Sequence, residues 1–198
     1  MQILTFPEQD TPRELRVQVL DLQNEAWPGP DAGHGAAAPA HDPAPTHDPA
    51  LRPRSMLLVD GATVLAALDI LVKELAHAGR SHAAGGLSTV VTRRRARGQG
   101  HGRRLVEAAR EAMPALGLDL GIFTCDRPLR AFYESAGWQH LPGAVLVGGT
   151  PADPFPSDRP GFDKVTMAAF FSPAARAARS SFRDARIELF PGETDRLW

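Results

Sequence analysis

At 198 residues the chain is long enough for one mixed domain with a sizeable core, and too short for two full domains and a linker. Its 43% hydrophobic and 23% charged residues exclude a wholly disordered chain. Lys+Arg 22 against Asp+Glu 23 leaves a formal net charge of -1, so no overall field draws it to nucleic acid or anionic lipid, and neither partner is expected.

Thr11-Pro12-Arg13-Glu14 reads as a capping box with proline at the first helical position. Leu15, Val19, Leu22 and Ala26 follow at helical spacing, which predicts one amphipathic helix ending near Trp27. Residues 28–53 change to Pro, Ala, Gly, His and Asp, with His-Asp-Pro-Ala repeated at His41 and His47, and are expected to form a mobile loop. Residues 56–59 and 64–72 flank Asp60-Gly61, a dipeptide suited to a tight hairpin turn. Residues 86–92 form a third strand with the β-branched cluster Thr89-Val90-Val91-Thr92. Leu105, Val106, Ala109, Ala112, Met113 and Leu116 then mark one face of a helix starting near Gly100.

Residues 118–124 give a further strand, and Asp126 offers the N-cap of a short helix with the stripe Leu129, Phe132, Tyr133 and Ala136, closed by Gly137. Residues 144–147 and 165–171 are the last strand candidates, separated by a Pro/Gly/Asp loop at 148–163 and followed by a tail at 172–198. The order predicts a single α+β domain over 1–198, with a strand-turn-helix phosphate site in the middle of its sheet. The lone Cys125 cannot form an internal disulfide, no basic n-region precedes an apolar stretch at the start, and the longest apolar run, 63–72, is interrupted by Asp69. A cytoplasmic protein is the expectation.

Arg97-x-x-Gly100-x-Gly102, between a strand and a helix, places small residues where backbone N–H groups and the helix dipole can meet an anion. The turn lacks the Gly-Lys-Ser/Thr ending of a nucleotide P-loop, and no acidic residue follows a second strand as in a dinucleotide site. Arg93, Arg94, Arg95, Arg97, Arg103 and Arg104 crowd around it, which suits a ligand with several phosphates. His34, His41 and His47 lie in a Pro-rich segment with no helix or knuckle to set metal geometry, so no metal site is expected.

Three segments together resemble the GCN5-related N-acetyltransferase superfamily: Leu87-Ser88-Thr89-Val90-Val91-Thr92, the turn Arg97-Gly98-Gln99-Gly100-His101-Gly102-Arg103-Arg104-Leu105, and Phe132-Tyr133-Glu134-Ser135-Ala136-Gly137-Trp138. The resemblance covers most of residues 56–171 and implies a mostly antiparallel twisted sheet flanked by helices, with a splayed strand pair holding acetyl-CoA. The pyrophosphate is then expected on the N–H groups of Gly98, Gln99, Gly100, His101, Gly102 and Arg103, beside Arg97, and the pantetheine arm along Val90, Val91 and Thr92. His101 would cover the cofactor and has no catalytic role.

Acetyl transfer needs a neutral amine, donors for a developing oxyanion and an acid for the departing thiolate. Tyr133 is the only tyrosine and matches the family's acid, and the Val90 and Val91 N–H groups are expected oxyanion donors. Ser88 stands where several superfamily members carry a glutamate, so the base is expected to be a water chain ending at another carboxylate, such as Asp163 or the C-terminus.

The chain further resembles the aminoglycoside 2′-N-acetyltransferases over residues 64–113 and 120–138, and in ending on Trp198. That branch lines its antibiotic site with acidic loop residues and the terminal carboxylate, which implies Asp163 and Trp198 here, with Asp48 and Asp42 in a roughly corresponding loop. Ser88 in place of an acid, and a tail reading Asp195-Arg196-Leu197-Trp198, point to a less cationic acceptor such as kasugamycin. The alternatives are a peptide or protein N-acetyltransferase and a non-catalytic CoA or antibiotic binder. Superfamily members are often dimers, so a homodimer is also an expectation.

Overall fold

The computed structural model describes residues 1–28 and 44–198. The elements in chain order are β1 (Gln2–Pro7), α1 (Arg13–Ala26), β2 (Arg54–Asp60), β3 (Thr63–His77), β4 (Arg80–Thr92), α2 (His101–Ala112), β5 (Leu120–Asp126), α3 (Arg130–Ser135), β6 (Gln139–His140), β7 (Val145–Gly149), β8 (Pro154–Pro156), β9 (Lys164–Phe170), α4 (Pro173–Ala178) and β10 (Arg186–Glu188). Among the described residues, β1-β2-β3-β4-β5-β9-β6 form a seven-stranded sheet and β10-β7-β8 a three-stranded one. Within the large sheet every pairing is antiparallel except β4 with β5.

The central strands are apolar almost throughout because both sheet faces are covered. Alternate side chains of β2 and β3 serve different cores: Met56, Leu58, Ala66, Leu68 and Ile70 belong to the main cluster with Leu105, Val106 and Ala109 of α2. Leu57, Val59, Val64 and Ala67 join Leu22 of α1 on the opposite face.

Several sequence expectations shift. β1 was not anticipated; it adds an edge strand, pairing Ile3 with Leu58 and Thr5 with Met56. The capping box does not form. Pro12 is the N-cap of α1, its carbonyl accepts the Leu15 and Arg16 N–H groups, and the buried Thr11 hydroxyl has no partner among the described residues. Asp60 pairs with Thr63, so the hairpin turn is Gly61-Ala62, with Gly61 at φ 56°. Beyond the predicted ends of 72 and 86, β3 and β4 continue to meet across Ala78-Gly79, where both residues have positive φ. The Asp126 carboxylate caps nothing and pairs with Lys164 at 2.7 Å.

The stretch expected to be a mobile loop divides. Residues 29–43, with His34, His41 and Asp42, lie outside the described residues. Residues 44–53 instead pack, with a turn of 3-10 helix at Pro49–Leu51 and His47 and Leu51 buried. The tail is folded as well: β10 runs parallel to β7, and Phe182, Ile187 and Leu189 are buried.

Candidate active site

The site begins where two strands part. β4 and β5 pair only at Ala84–Leu120 and Gly85–Gly121, after which β4 stays with β3 while β5 stays with β9. Two features accompany the divergence. The β3–β4 register slips between Ala67 and Asp69, and Thr89 within that bulge takes a φ of 50°. The Trp198 indole also stands against Gly86 of β4, and its N–H donates to the Ile122 carbonyl of β5 at 2.9 Å. That carbonyl is one β5 would otherwise offer to its parallel neighbour, so the ring acts as a wedge.

Past Thr92 the chain makes a short turn over Arg94–Ala96 and enters α2 through Gly98 (φ 77°) and Gly100 (φ 80°). A Cβ at either glycine would meet nothing within 4 Å, so backbone conformation, not crowding, selects glycine and leaves an open concavity. Gly102 is different: a Cβ there would lie 2.7 Å from Thr92 Oγ1, so the helix start packs on the end of β4. The N–H groups of residues 98–103 precede the bond from Arg104 N–H to the Gly100 carbonyl (2.9 Å) and have no acceptor among the described residues. Arg97 and Arg103 are exposed beside them, and Arg97 Nε donates to the Thr92 carbonyl at 3.1 Å. His101 Nε2 lies 3.3 Å from Gln99 Oε1, on the exposed side. Unused donors, a positive helix end and flanking guanidinium groups fit a diphosphate. The Val90–Thr92 segment and the 97–103 turn thus lie along one continuous edge.

Tyr133 is buried on α3, its ring edge-on to Phe123 and Phe132 at centroid distances of 4.9 Å each. Burial pushes its phenol up from the ordinary value, Cys125 and Asp126 add to the shift, and the hydroxyl keeps its proton. That hydroxyl makes no hydrogen bond to the described residues. Burial pushes the Cys125 thiol up to about 11, so it stays protonated at neutral pH.

Between the diverging strands and the tail lies a cleft of about 340 Å³, with Ser88 and Thr89 of β4, Thr124 of β5, and Phe162, Asp195 and Trp198 in its walls. Of the residues assigned to the acceptor side, the structure brings Trp198 into this cleft. Asp163 lies outside it: its carboxylate is 65% exposed and pairs with Arg127 at 2.6 Å. Asp48 caps its own turn, accepting from the Ala50 N–H at 2.9 Å, and is likewise not in the cleft wall.

A buried polar cluster that the sequence reading missed backs the cleft instead. His47 Nδ1 bonds to Asp195 Oδ1 at 2.6 Å, and the Asp48 N–H donates to Asp195 Oδ2 at 2.9 Å. His47 Nε2 is 3.3 Å from Asp69 Oδ2, which accepts from Thr89 Oγ1 at 2.5 Å, while Asp69 Oδ1 accepts from Ser55 at 2.6 Å. Burial lowers the His47 pKa, but Asp195 and Asp69 together outweigh it and lift it to about 10, so the ring is an imidazolium at neutral pH. Glu8 closes the cluster from β1's end, accepting the Thr46 N–H at 2.5 Å, and burial raises its pKa. One signal was legible: Asp69 interrupts an apolar strand, and a buried carboxylate needs partners.

A splayed strand pair beside a helix start with unused N–H donors, on a mostly antiparallel sheet, fits the class of acyl-CoA-dependent acyltransferases. The chain belongs to the acetyltransferase (GNAT) family, whose model matches residues 17–138. The family uses acetyl-CoA, and this chain is an N-acetyltransferase of that kind.

Solved structures agree on the fold. An acyl-CoA N-acyltransferase from Pseudomonas aeruginosa is 19% identical at a TM-score of 0.53, covering 84% of this chain and 97% of its own. Escherichia coli ElaA is 15% identical at 0.55, covering 85% and 99%. An aminoglycoside 6′-N-acetyltransferase complexed with coenzyme A is 14% identical at 0.55, covering 87% and 98%. No curated protein sequence matches. Among the described residues no helix is long and apolar enough to cross a membrane, and no group of three or more His, Cys, Asp and Glu side chains is placed to hold a metal ion.

Proposed function

We propose that this enzyme acetylates a primary amine of a small hydroxylated molecule, the 2′-amine of an aminoglycoside of the weakly cationic kasugamycin kind, an activity that would confer resistance. The observation that carries this reading is the chemistry of the cleft wall. Thr46, Ser88, Thr89, Thr124 and Thr194 offer hydroxyls, and Phe162 and Trp198 offer aromatic faces. Among the described residues of the wall Asp195 is the one acidic side chain, and both its oxygens are engaged within the protein. A polycation requires convergent unpaired carboxylates, whereas a sugar with few amines suits hydroxyls and rings.

Bound acetyl-CoA supplies an acetyl thioester. Around it, the N–H groups of residues 98–103 with Arg97 and Arg103 hold phosphate, and the backbone of Val90, Val91 and Thr92, unpaired on its β5 side, aligns the arm. The Val90 and Val91 N–H groups are assigned as donors to developing negative charge at the carbonyl oxygen, Tyr133 as the proton donor to sulfur, and Ser88 as a hydroxyl that orients the amine.

The test is thiol release from acetyl-CoA with kasugamycin, other aminoglycosides, polyamines and peptides as acceptors. Kasugamycin and weakly cationic aminoglycosides should react best; acetylation of peptides alone would overturn the reading.

A further inference from the structure

An acceptor nitrogen that becomes acylated must shed a proton, and β4 carries no carboxylate at Ser88 to receive it. Serine alone cannot hold a proton at neutral pH. The next residue offers a route. Thr89 lines the cleft, and its hydroxyl donates at 2.5 Å to Asp69, a carboxylate only 4% exposed on the neighbouring strand β3. Thr89 holds this place with a φ of 50°, in the left-handed region that β-branched residues avoid, so the surrounding structure imposes the conformation.

Behind Asp69 the cluster is built rather than incidental. The His47 side chain is 2% exposed, its Nδ1 is fixed by Asp195, and its Nε2 faces Asp69 Oδ2 without a hydrogen bond of good geometry. The charged and titratable groups around Asp69 are His47, on the segment after the undescribed residues, and Glu8, beyond β1; Asp195, on the tail, acts through His47.

We propose that Thr89 and Asp69 form a proton relay that replaces the carboxylate absent at Ser88, with His47 and Asp195 as positioning residues behind it. The relay rests on the acetyltransferase reading of the cleft. As the bond from the acceptor nitrogen to the acetyl carbon forms and the carbon–sulfur bond breaks, the thiolate takes the Tyr133 proton and leaves as CoA thiol, while one nitrogen proton passes to Thr89 Oγ1 and the Thr89 hydroxyl proton passes to Asp69 Oδ2. The nitrogen ends as a neutral amide, Thr89 is unchanged, and Asp69 ends as a neutral acid beside the His47 imidazolium. When the cleft empties, the Asp69 proton leaves by the same hydroxyl and the Tyr133 phenolate takes one back from solvent. Thr89 and Asp69 need no water between them, which suits a carboxylate buried out of direct reach of the substrate.

The test compares wild type, Thr89→Val, which keeps the shape and removes the hydroxyl, and Thr89→Ser, which restores it. The first readout needs no acceptor. In the infrared spectrum of the CoA-saturated enzyme, the Asp69 carboxylate band, assigned by its loss in Asp69→Asn, should shift in Thr89→Val and return in Thr89→Ser. Calorimetric affinity for CoA should stay within about twofold in both Thr89 variants, because neither touches the phosphate turn. The second readout is turnover of kasugamycin with acetyl-CoA in light and heavy water. Thr89→Val should lower kcat by ~100-fold with KM for acetyl-CoA unchanged, and should lose the curved proton inventory expected when two protons move together. Thr89→Ser should recover kcat to within about tenfold.

A Thr89→Val enzyme turning over within about threefold of wild type, or an Asp69 band that does not move, overturns the relay. Should wild type bind CoA yet leave kasugamycin untouched, the acceptor assignment fails and the infrared comparison still decides the relay. Should it bind no CoA, the acetyltransferase reading beneath both fails.

Discussion

Gly86 is the most direct handle on the wedge that accompanies the strand divergence. A Cβ at this position would lie 2.3 Å from Trp198 Nε1, 2.5 Å from Cε2 and 2.6 Å from Cδ1. The ring has little freedom to retreat, since Trp198 is 8% exposed and its N–H is tied to the Ile122 carbonyl at 2.9 Å. Gly86→Ala must therefore push the indole off that carbonyl or force β4 aside. Overpacking of this kind costs about 1–3 kcal/mol, and a buried carbonyl left without its donor costs about the same. The smaller entropy of an alanine in the unfolded chain offsets about 0.5–1 kcal/mol, leaving a net loss of about 2 kcal/mol. For a chain of this size the melting temperature should fall by about 4–8 °C.

A double-mutant cycle in thermal and urea unfolding isolates the contact. Trp198→Ala alone should cost about 3 kcal/mol or more, and once the ring is gone Gly86→Ala should be neutral or slightly stabilising. Equal costs of Gly86→Ala with and without the indole would refute the wedge.

Gly100→Ala should cost only about 1 kcal/mol in stability through its positive φ, yet lower CoA affinity at least ~10-fold in calorimetry, because the new methyl occupies the open side of the turn. Tyr133→Phe should leave CoA binding and folding nearly unchanged, since the hydroxyl has no partner among the described residues, while kcat falls by ~100-fold. The His47 pKa is raised from 6.5 to about 10, so its stabilising contribution is complete below pH 6.5 and is lost as pH rises through 10. Urea melts across that window should show stability declining by up to about 1.4 kcal/mol per pH unit, and His47→Gln should flatten the slope.

Local chemistry explains what could be read from the chain. The α2 face, the Asp60-Gly61 hairpin signal and the glycine turn each depend on residues within a few positions of one another; the hairpin and the glycine turn appear where expected to within a residue or so, while α2 stops at Ala112, so Met113 and Leu116 of the predicted face fall in a 3-10 turn and Leu116 is exposed. β1 escaped notice because an edge strand of six residues with only Ile3, Leu4 and Phe6 to bury carries little periodic signal. The capping box failed for a different reason. A turn of 3-10 helix at Glu8–Asp10 takes up the Thr11 N–H, the first helical carbonyl becomes that of Pro12, and Thr11 ends one residue too early to cap.

The candidate site divides along the same line. Its cofactor edge is contiguous in sequence, so three short motifs revealed it; its acceptor side is assembled from β1's end, the 44–53 segment, β3 and the tail, joined by contacts such as His47 to Asp195 across 148 positions. No spacing rule links such residues. The resemblance to the aminoglycoside 2′-N-acetyltransferases implied Asp163 on the acceptor side, but Arg127 is its neighbour in space and pairs with it at 2.6 Å. The position of Asp195 along the tail has a physical counterpart: although it stands in the cleft wall, both its carboxylate oxygens bond within the protein, to His47 and the Asp48 N–H. On the proposed reading, an acceptor in this cleft would meet hydroxyls and aromatic rings, with Lys164 and Arg196 as the cations of the wall. If the acceptor is the weakly cationic sugar proposed, its turnover should depend only weakly on ionic strength, unlike recognition by exposed charge.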